Sequence, residues 1–118
     1  MLFKNFTIGD KEYTFCACAS VNICYRNIFG EDFIKLMYSG ESALASSIMQ
    51  MAFVMAKFGE LKDRKKVNQL TEDDYCEWLD EFTTGDLVNA LPGIEEFYMQ
   101  STAPAVDSKK NSARVNEG

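Results

Sequence analysis

Apolar and polar residues alternate along the start of the chain, and this pattern predicts a β-hairpin over residues 3–16. Gly9 and Asp10 are expected to form a two-residue loop of type II′, in which Gly9 supplies the positive φ. The resulting register pairs Ile8 with Lys11 and sorts the side chains onto two faces. The apolar face carries Phe6, Ile8, Tyr13 and Phe15, and the polar face carries Asn5, Thr7, Glu12 and Thr14. Because an isolated hairpin is only marginally stable in water, we expect the apolar face to pack on helices.

After the hairpin, the apolar spacing becomes that of amphipathic helices. Ser20 is the expected N-cap of the first helix, and Gly30 is the residue expected to follow that helix. The apolar stripe of this helix consists of Val21, Cys24, Tyr25 and Ile28. A short second helix is predicted from the spacing of Phe33, Leu36 and Met37, and it is expected to end at Ser39-Gly40.

Residues 41–58 predict a central helix that is apolar on most of its sides. One stripe consists of Leu44, Ile48, Met51 and Met55, and a second apolar face consists of Met49 and Phe53. A helix of this kind is surrounded by other elements, so we expect it to form the core of the domain.

A charged connector over residues 59–70 separates the central helix from a second helical region. Thr71-Glu-Asp-Asp74 matches a capping box, with Asp74 in place of the usual glutamate. The helix that follows has its apolar stripe at Tyr75, Trp78, Leu79 and Phe82. Residues 86–100 keep helical spacing, but Pro92-Gly93 is expected to break or kink this last helix near Leu91.

The end of the chain differs in composition from everything before it. Residues 103–118 contain no aromatic residue, no leucine and no isoleucine. Such a segment buries too little apolar surface to offset its ordering entropy, so we expect a disordered tail. The sequence therefore predicts a single domain over residues 1–102 and a tail over 103–118. The predicted fold class is mostly α, with an N-terminal β-hairpin packed on a small helical domain and a disordered C-terminal tail.

Composition and charge limit the classes of partner and the cellular location that we expect for this protein. The chain has 118 residues and a net charge of −6, which argues against nucleic-acid binding because neutralising phosphates needs a basic face. Residues 42–56 form the longest run with little charge, and this run is too short and too polar to span a bilayer. With no visible secretory signal, we expect a cytoplasmic protein whose four cysteines are thiols.

The residue types that enzymes use most often are missing or unfavourably spaced. The chain has no histidine, which removes the commonest general base and metal ligand, and it has no phosphate-binding loop. The cysteines lack the paired C-x2-C spacing of structural zinc sites, so packing is favoured over metal binding; they are Cys16, Cys18, Cys24 and Cys76. An acidic set predicts a solvated face opposite the Trp78 stripe rather than a catalytic pair; it comprises Glu72, Asp73, Glu77, Asp80 and Glu81. We therefore expect no catalytic residue, no cofactor and no metal.

The methionines allow two interpretations. Core packing is favoured because the Met-rich stripe lies on the central helix, whereas an adaptable binding groove is the alternative. The methionines concerned are Met37, Met49, Met51 and Met55. If apolar side chains left over from the core bind a partner, the candidate residues are Met49, Phe53, Met55 and Trp78.

The order of these elements resembles that of the tail assembly chaperones of long-tailed bacteriophages that infect Gram-positive hosts. The resemblance covers about residues 3–100 and includes the central helix of small and apolar residues. Its other parts are Phe6-Thr-Ile-Gly-Asp-Lys-Glu-Tyr-Thr-Phe15, Ile28-Phe-Gly-Glu-Asp-Phe-Ile34 and Leu70-Thr-Glu-Asp-Asp-Tyr-Cys-Glu-Trp-Leu79. Pro92-Gly93, inside the last helical region, departs from the family pattern.

The resemblance implies a function without catalysis. Such chaperones bind the long tape-measure protein, keep it soluble, and help to recruit tail-tube subunits. They act in the host cytoplasm and are absent from the mature virion. The implied partners are the tape-measure protein, the major tail protein and a longer form of the chaperone itself. Binding to further copies of the chain is also expected, because exposed apolar patches favour self-association.

The longer form of these chaperones arises from a ribosomal frameshift near the end of the short reading frame. Lys109, Lys110 and Asn111 can be encoded by a run of adenines on which tRNAs re-pair after slipping. Codons AAG at both lysines would exclude this hypothesis.

Two other classes of function compete with the chaperone. One is a structural head–tail joining or tail-completion protein, which would be present in purified virions. The other is a small regulatory adaptor that binds a transcription factor.

Overall fold

The computed structural model describes residues 1–37 and 45–103 of the chain. Over these ranges the protein is mostly helical and begins with a two-stranded antiparallel hairpin, which confirms the predicted fold class. The strands are β1 (Leu2–Ile8) and β2 (Lys11–Ala17). The helices are α1 (Ser20–Phe29), α2 (Phe33–Met37), α3 (Ala45–Leu61), α4 (Arg64–Asn68), α5 (Glu72–Leu79) and α6 (Thr84–Ser101). Ser39-Gly40, Leu44 and residues 104–118, with Lys109, Lys110 and Asn111, lie outside the described residues.

The hairpin has the predicted register. Ile8 pairs with Lys11 and Phe6 with Tyr13, and Gly9 has a φ of 68°. A positive φ at the first loop residue alone is the type II′ pattern. Ile8 and Phe15 are buried, whereas the predicted polar face is exposed. The apolar face packs on α6, where the rings of Phe6 and Phe97 lie 5.7 Å apart.

Helix α3 is the core of the domain, as its two-sided apolar pattern predicts. Every residue from Met51 to Ala56 is buried, because β2, α1, α5 and α6 all pack against this helix. The expected end at residue 58 is wrong, since α3 continues to Leu61 and includes Gly59. A Cβ on Gly59 would lie 1.9 Å from the Thr14 carbonyl oxygen, so glycine permits the close approach of α3 and β2.

Aromatic rings connect α3, α5 and the hairpin. The ring of Phe53 lies 5.5 Å from that of Tyr75 and 5.8 Å from that of Trp78. Phe82 follows α5 and continues the series, with its ring 4.8 Å from Trp78 and 5.3 Å from Tyr13. These edge and tilted contacts are the arrangements that aromatic pairs favour. The predicted α5 stripe therefore faces the core.

Local hydrogen bonds mark several of the helix ends, and two of these ends were predicted from the sequence. The Thr71–Asp74 capping box is present, and Gly30 ends α1 in the left-handed conformation with a φ of 78°. The predicted N-cap Ser20 is wrong by one position, because Ala19 holds that place without a side-chain hydrogen bond. The connector is also not wholly irregular, since Asp63 caps the short helix α4 by accepting from the backbone N–H of Lys65.

Of the break or kink expected at Pro92-Gly93, the break does not occur. Helix α6 runs unbroken from Thr84 to Ser101 with Pro92 inside it. Proline lacks the N–H that would donate to the Val88 carbonyl, and the loss of this hydrogen bond destabilises the interior of a helix. Pro92 is exposed, so water can solvate this face, while buried residues on both sides of the proline hold the helix against the core. These buried residues are Leu87, Leu91, Ile94, Phe97 and Tyr98.

Candidate functional site

The predicted partner-binding residues occupy the interior more than the surface. Phe53 and Met55 are 0% exposed and Trp78 is 3% exposed, whereas Met49 is half-buried. A partner could reach the first three side chains only if the core opened. The most exposed apolar side chains of the described residues are others.

The cysteines are packed or scattered rather than assembled around a metal. Cys16 and Cys24 are buried, Cys18 is half-buried and Cys76 is exposed. Burial raises the pKa of the Cys16 and Cys24 thiols to about 11, with the neighbouring Cys18 adding to the effect. Both thiols are therefore protonated at neutral pH. Within residues 1–37 and 45–103, no group of three or more cysteine or acidic side chains has the arrangement of a metal site.

The acidic residues of α5 and the segment after it face solvent. Glu72, Asp73, Glu77, Asp80 and Glu81 are all exposed. Glu81 accepts a hydrogen bond from the Tyr13 hydroxyl at 3.1 Å, and this bond joins the α5 region to the hairpin. The described helices include none with both the length and the apolarity needed to cross a membrane.

A polar groove of about 330 Å³ lies between β2, α3 and the end of α5. Glu12, Glu60 and Glu81 lie along it, and Trp78 contributes an almost fully buried ring. Lys57 forms an ion pair with Glu60 at 3.2 Å, and Tyr13 already binds Glu81. Two of the three carboxylates along this groove, those of Glu60 and Glu81, therefore already have partners within the protein.

The open end of the hairpin exposes three consecutive apolar side chains. Met1 is 82% exposed, Phe3 is 51% exposed and Leu2 is 41% exposed. Phe3 pairs with Cys16 across the hairpin and lies on its nominally polar face, two residues from Asn5. Sequence reasoning missed this surface, although an apolar residue on the polar face of the hairpin was a signal that could have found it.

Met1 and Phe3 line a groove of about 290 Å³, which we call the hairpin groove. Its lining is mainly apolar and its rim carries two cationic side chains. The lining residues are Met1, Phe3, Cys16, Cys18, Ser20 and Phe58, and the rim residues are Lys62 and Arg64. The groove forms because β1 begins beside the C-terminal end of α3, so that Phe3 and Phe58 flank the same space.

The rim cations are positioned by the turn between α3 and α4. Lys62 follows the last residue of α3 in a left-handed conformation, with a φ of 54°, and Arg64 is the first residue of α4. Asp63 lies between them, but its carboxylate accepts from the backbone N–H groups of Lys65 and Lys66. Among the described residues, neither Lys62 nor Arg64 forms an ion pair.

A second groove, of about 310 Å³, lies where the end of α6 meets the start of α1. Ile34 is 44% exposed at its edge, and the Tyr98 hydroxyl in its wall donates to Asn22 at 2.6 Å. We call it the α6 groove, and its lining comprises Cys18, Ala19, Asn22, Ile34, Tyr98, Ser101 and Thr102. Cys18 lines both grooves, so they meet at the segment that joins β2 to α1.

The described protein therefore presents two joined grooves with much apolar lining, and one of them has a basic rim. Apolar grooves of this kind can receive the apolar side chains of another polypeptide. The sequence matches no known protein-family model, and no curated protein and no solved structure is significantly similar to it.

Proposed function

We propose that this chain is a non-enzymatic tail assembly chaperone that binds the tape-measure protein, keeps it soluble and aids the recruitment of tail-tube subunits. The proposal rests on the sequence resemblance, and the helical body with its opening hairpin is consistent with it. It places the protein in the host cytoplasm and leaves it out of the mature virion. The proposed partners also include the major tail protein, the frameshifted longer form and further copies of the chain.

One observation carries the proposal on the structural side: the pair of grooves that meet at Cys18. Each groove has an exposed apolar side chain: Phe3 in the hairpin groove and Ile34 in the α6 groove. Apolar side chains of an amphipathic segment dock into grooves of this kind, with successive anchors filling successive depressions. A long and aggregation-prone partner presents many such segments.

Co-expression with a candidate tape-measure protein tests the proposal. We expect the wild-type chain to keep the tape-measure protein in the soluble fraction, because bound apolar segments cannot aggregate. Phe3→Asp places a charge in the hairpin groove, and we expect it to weaken binding by about tenfold or more, as for a central interface residue. A tape-measure protein that stays insoluble with the wild-type chain would contradict the chaperone function.

Leu2→Asp is the matched control for this test. Leu2 is the neighbouring exposed apolar residue of the same strand, but it does not line either groove. We expect it to retain solubilising activity, and thermal melting of both variants checks that the hairpin is intact. Mass spectrometry of purified virions addresses the competing function, since a head–tail joining protein would be found there.

A further inference from the structure

We infer that the hairpin groove binds a partner segment in which an apolar anchor residue is flanked by carboxylates. The anchor occupies the space between Phe3 and Phe58, and the carboxylates contact Lys62 and Arg64. This inference rests on the proposed function, because it names the chemistry of the segment that the chaperone binds.

The charge at the groove is opposite to that of the whole protein. The chain has a net charge of −6, yet the two side chains on the groove rim are cationic. Within the described residues neither cation has an acidic partner, and the nearest carboxylate in sequence, that of Asp63, is bound to backbone N–H groups. The rim therefore offers two cationic groups that a bound carboxylate can pair with.

The backbone at Lys62 is a second, independent observation. Its φ of 54° is in the left-handed region, where glycine is the usual residue at a helix C-terminus. A lysine at this position carries a conformational cost that glycine would avoid. A binding role for the ammonium group at the rim of the groove explains this cost, since strained residues concentrate at binding sites.

The size of the groove limits the ligand. A volume of about 290 Å³ lies just below the range for small-molecule pockets, roughly 300–1,000 Å³. The groove therefore admits one or two side chains of a polypeptide. Its apolar floor selects an apolar anchor, and its basic rim selects against lysine or arginine next to that anchor.

A second copy of the chain is the competing occupant. The outer face of α6 carries exposed Val88, Glu96 and Met99, which also combines apolar and acidic groups. Two copies that each carry a net charge of −6 repel one another at long range, whereas a short segment presents its carboxylates only at the rim. We therefore assign the groove to a segment of a different protein.

The test uses designed helical peptides of about 15 residues, a length at which alanine-rich helices begin to form. The first peptide has one phenylalanine flanked by glutamates one turn away on each side. The second has lysines in place of the glutamates, and the third has alanine in place of the phenylalanine. Two-dimensional NMR titration of the full chain measures each affinity and locates the shifted amide signals.

We expect the glutamate peptide to bind with shifts at Phe3 and Phe58, and the other two peptides to bind more weakly. Lys62→Glu with Arg64→Glu should reduce affinity for the glutamate peptide about twofold to thirtyfold, the range for two exposed ion pairs. The same double variant should gain affinity for the lysine peptide. Equal binding of the glutamate and lysine peptides by the wild-type chain would overturn the inference.

Two further variants separate charge from structure. Lys65→Glu with Lys66→Glu makes the same change in net charge on α4 but leaves the groove lining unaltered, so its affinity should stay near the wild-type value. Lys62→Gly removes one rim cation and suits the left-handed backbone, so it should lower the affinity of a well-folded protein. Retained affinity in the Lys62→Gly variant would contradict a role for this ammonium group.

Further results would show whether a second copy of the chain occupies the groove, and whether this inference or the proposed function fails. If light scattering shows self-association that both Val88→Asp and the rim double variant abolish, the occupant is another copy and the inference is wrong. If the wild-type chain solubilises the tape-measure protein and the rim double variant does so equally well, the inference fails while the proposed function stands. If selective peptide binding is found without solubilising activity, the proposed function fails instead.

Discussion

Gly59 lies at the closest approach of α3 to the hairpin. The backbone of Thr14 occupies the space in which any other residue would carry its Cβ. Glycine inside a helix is normally unfavourable by roughly 0.5–1 kcal/mol relative to alanine. Here that cost is offset because β2 and α3 can pack backbone to backbone, which also brings Phe58 beside Phe3.

Replacing Gly59 with alanine should therefore destabilise the protein. The new Cβ would lie 1.9 Å from the Thr14 carbonyl oxygen, so α3 and β2 must move apart. We expect the free energy of unfolding to fall by about 2 kcal/mol or more, as for overpacked cores. Urea unfolding followed by tryptophan fluorescence measures the change.

Gly85→Ala is the control for this prediction. Gly85 is also a helical glycine, but nothing lies within 4 Å of the Cβ that alanine would add. We expect this variant to be as stable as the wild type or more stable by up to about 1 kcal/mol. A similar loss of stability in both variants would argue against the close contact as the cause.

At the scale of a single element, α6 shows how packing overrides a local signal. The helix contains Pro92, yet it continues for nine residues beyond it to Ser101. Buried side chains on both sides of the proline attach the helix to the hairpin, to α3 and to α1, whereas the proline itself faces solvent. The proline still destabilises the helix locally, but the stabilisation from the packing of the whole helix is larger than this cost.

Pro92→Ala should consequently stabilise the protein without changing its fold. Alanine restores the N–H that donates to the Val88 carbonyl, and we expect a gain of about 1–3 kcal/mol in the free energy of unfolding. Circular dichroism should show unchanged helix content at low temperature. Asn89→Ala, at an exposed site of the same helix, should gain only a few tenths of a kcal/mol. A gain no larger than that of the control would indicate that the proline carries no helix penalty here.

At the scale of the whole molecule, the buried thiols make the free energy of unfolding depend on pH in the alkaline range. Cys16 lies on β2 and Cys24 on α1, and burial raises the pKa of both thiols from 9.0 to about 11. In the unfolded chain these thiols ionise near pH 9, while in the folded protein they keep their protons to about pH 11. Between these values the unfolded state binds fewer protons, so the free energy of unfolding falls as pH rises.

We therefore expect the urea midpoint to be unaffected by these thiols below about pH 8 and to decrease between about pH 9 and pH 11. Unfolding curves across this range, in the presence of a reducing agent, measure the slope. The Cys16→Ala and Cys24→Ala variants should each show a shallower slope, whereas Cys76→Ala, at an exposed site, should keep it. A Cys76→Ala variant with the largest effect would contradict this assignment.

The sequence by itself determined the elements whose patterns are local. The hairpin register followed from the sorting of Phe6 and Tyr13 onto one face, because a shift of one residue would have mixed apolar and polar side chains. The capping box at Thr71 and the left-handed Gly30 depend on hydrogen bonds between near neighbours. Such features can be predicted from a sequence because all the groups that take part lie within a few residues of one another in the chain.

Only the tertiary structure decided which apolar side chains remain at the surface. Phe53 and Met55 looked available for a partner because α3 is apolar on two sides, but several elements pack around that helix and bury both. Phe3 and Phe58 are 55 positions apart, and they line one groove because Gly59 lets α3 approach β2. Burial depends on contacts between residues distant in the chain, and no local pattern records those contacts.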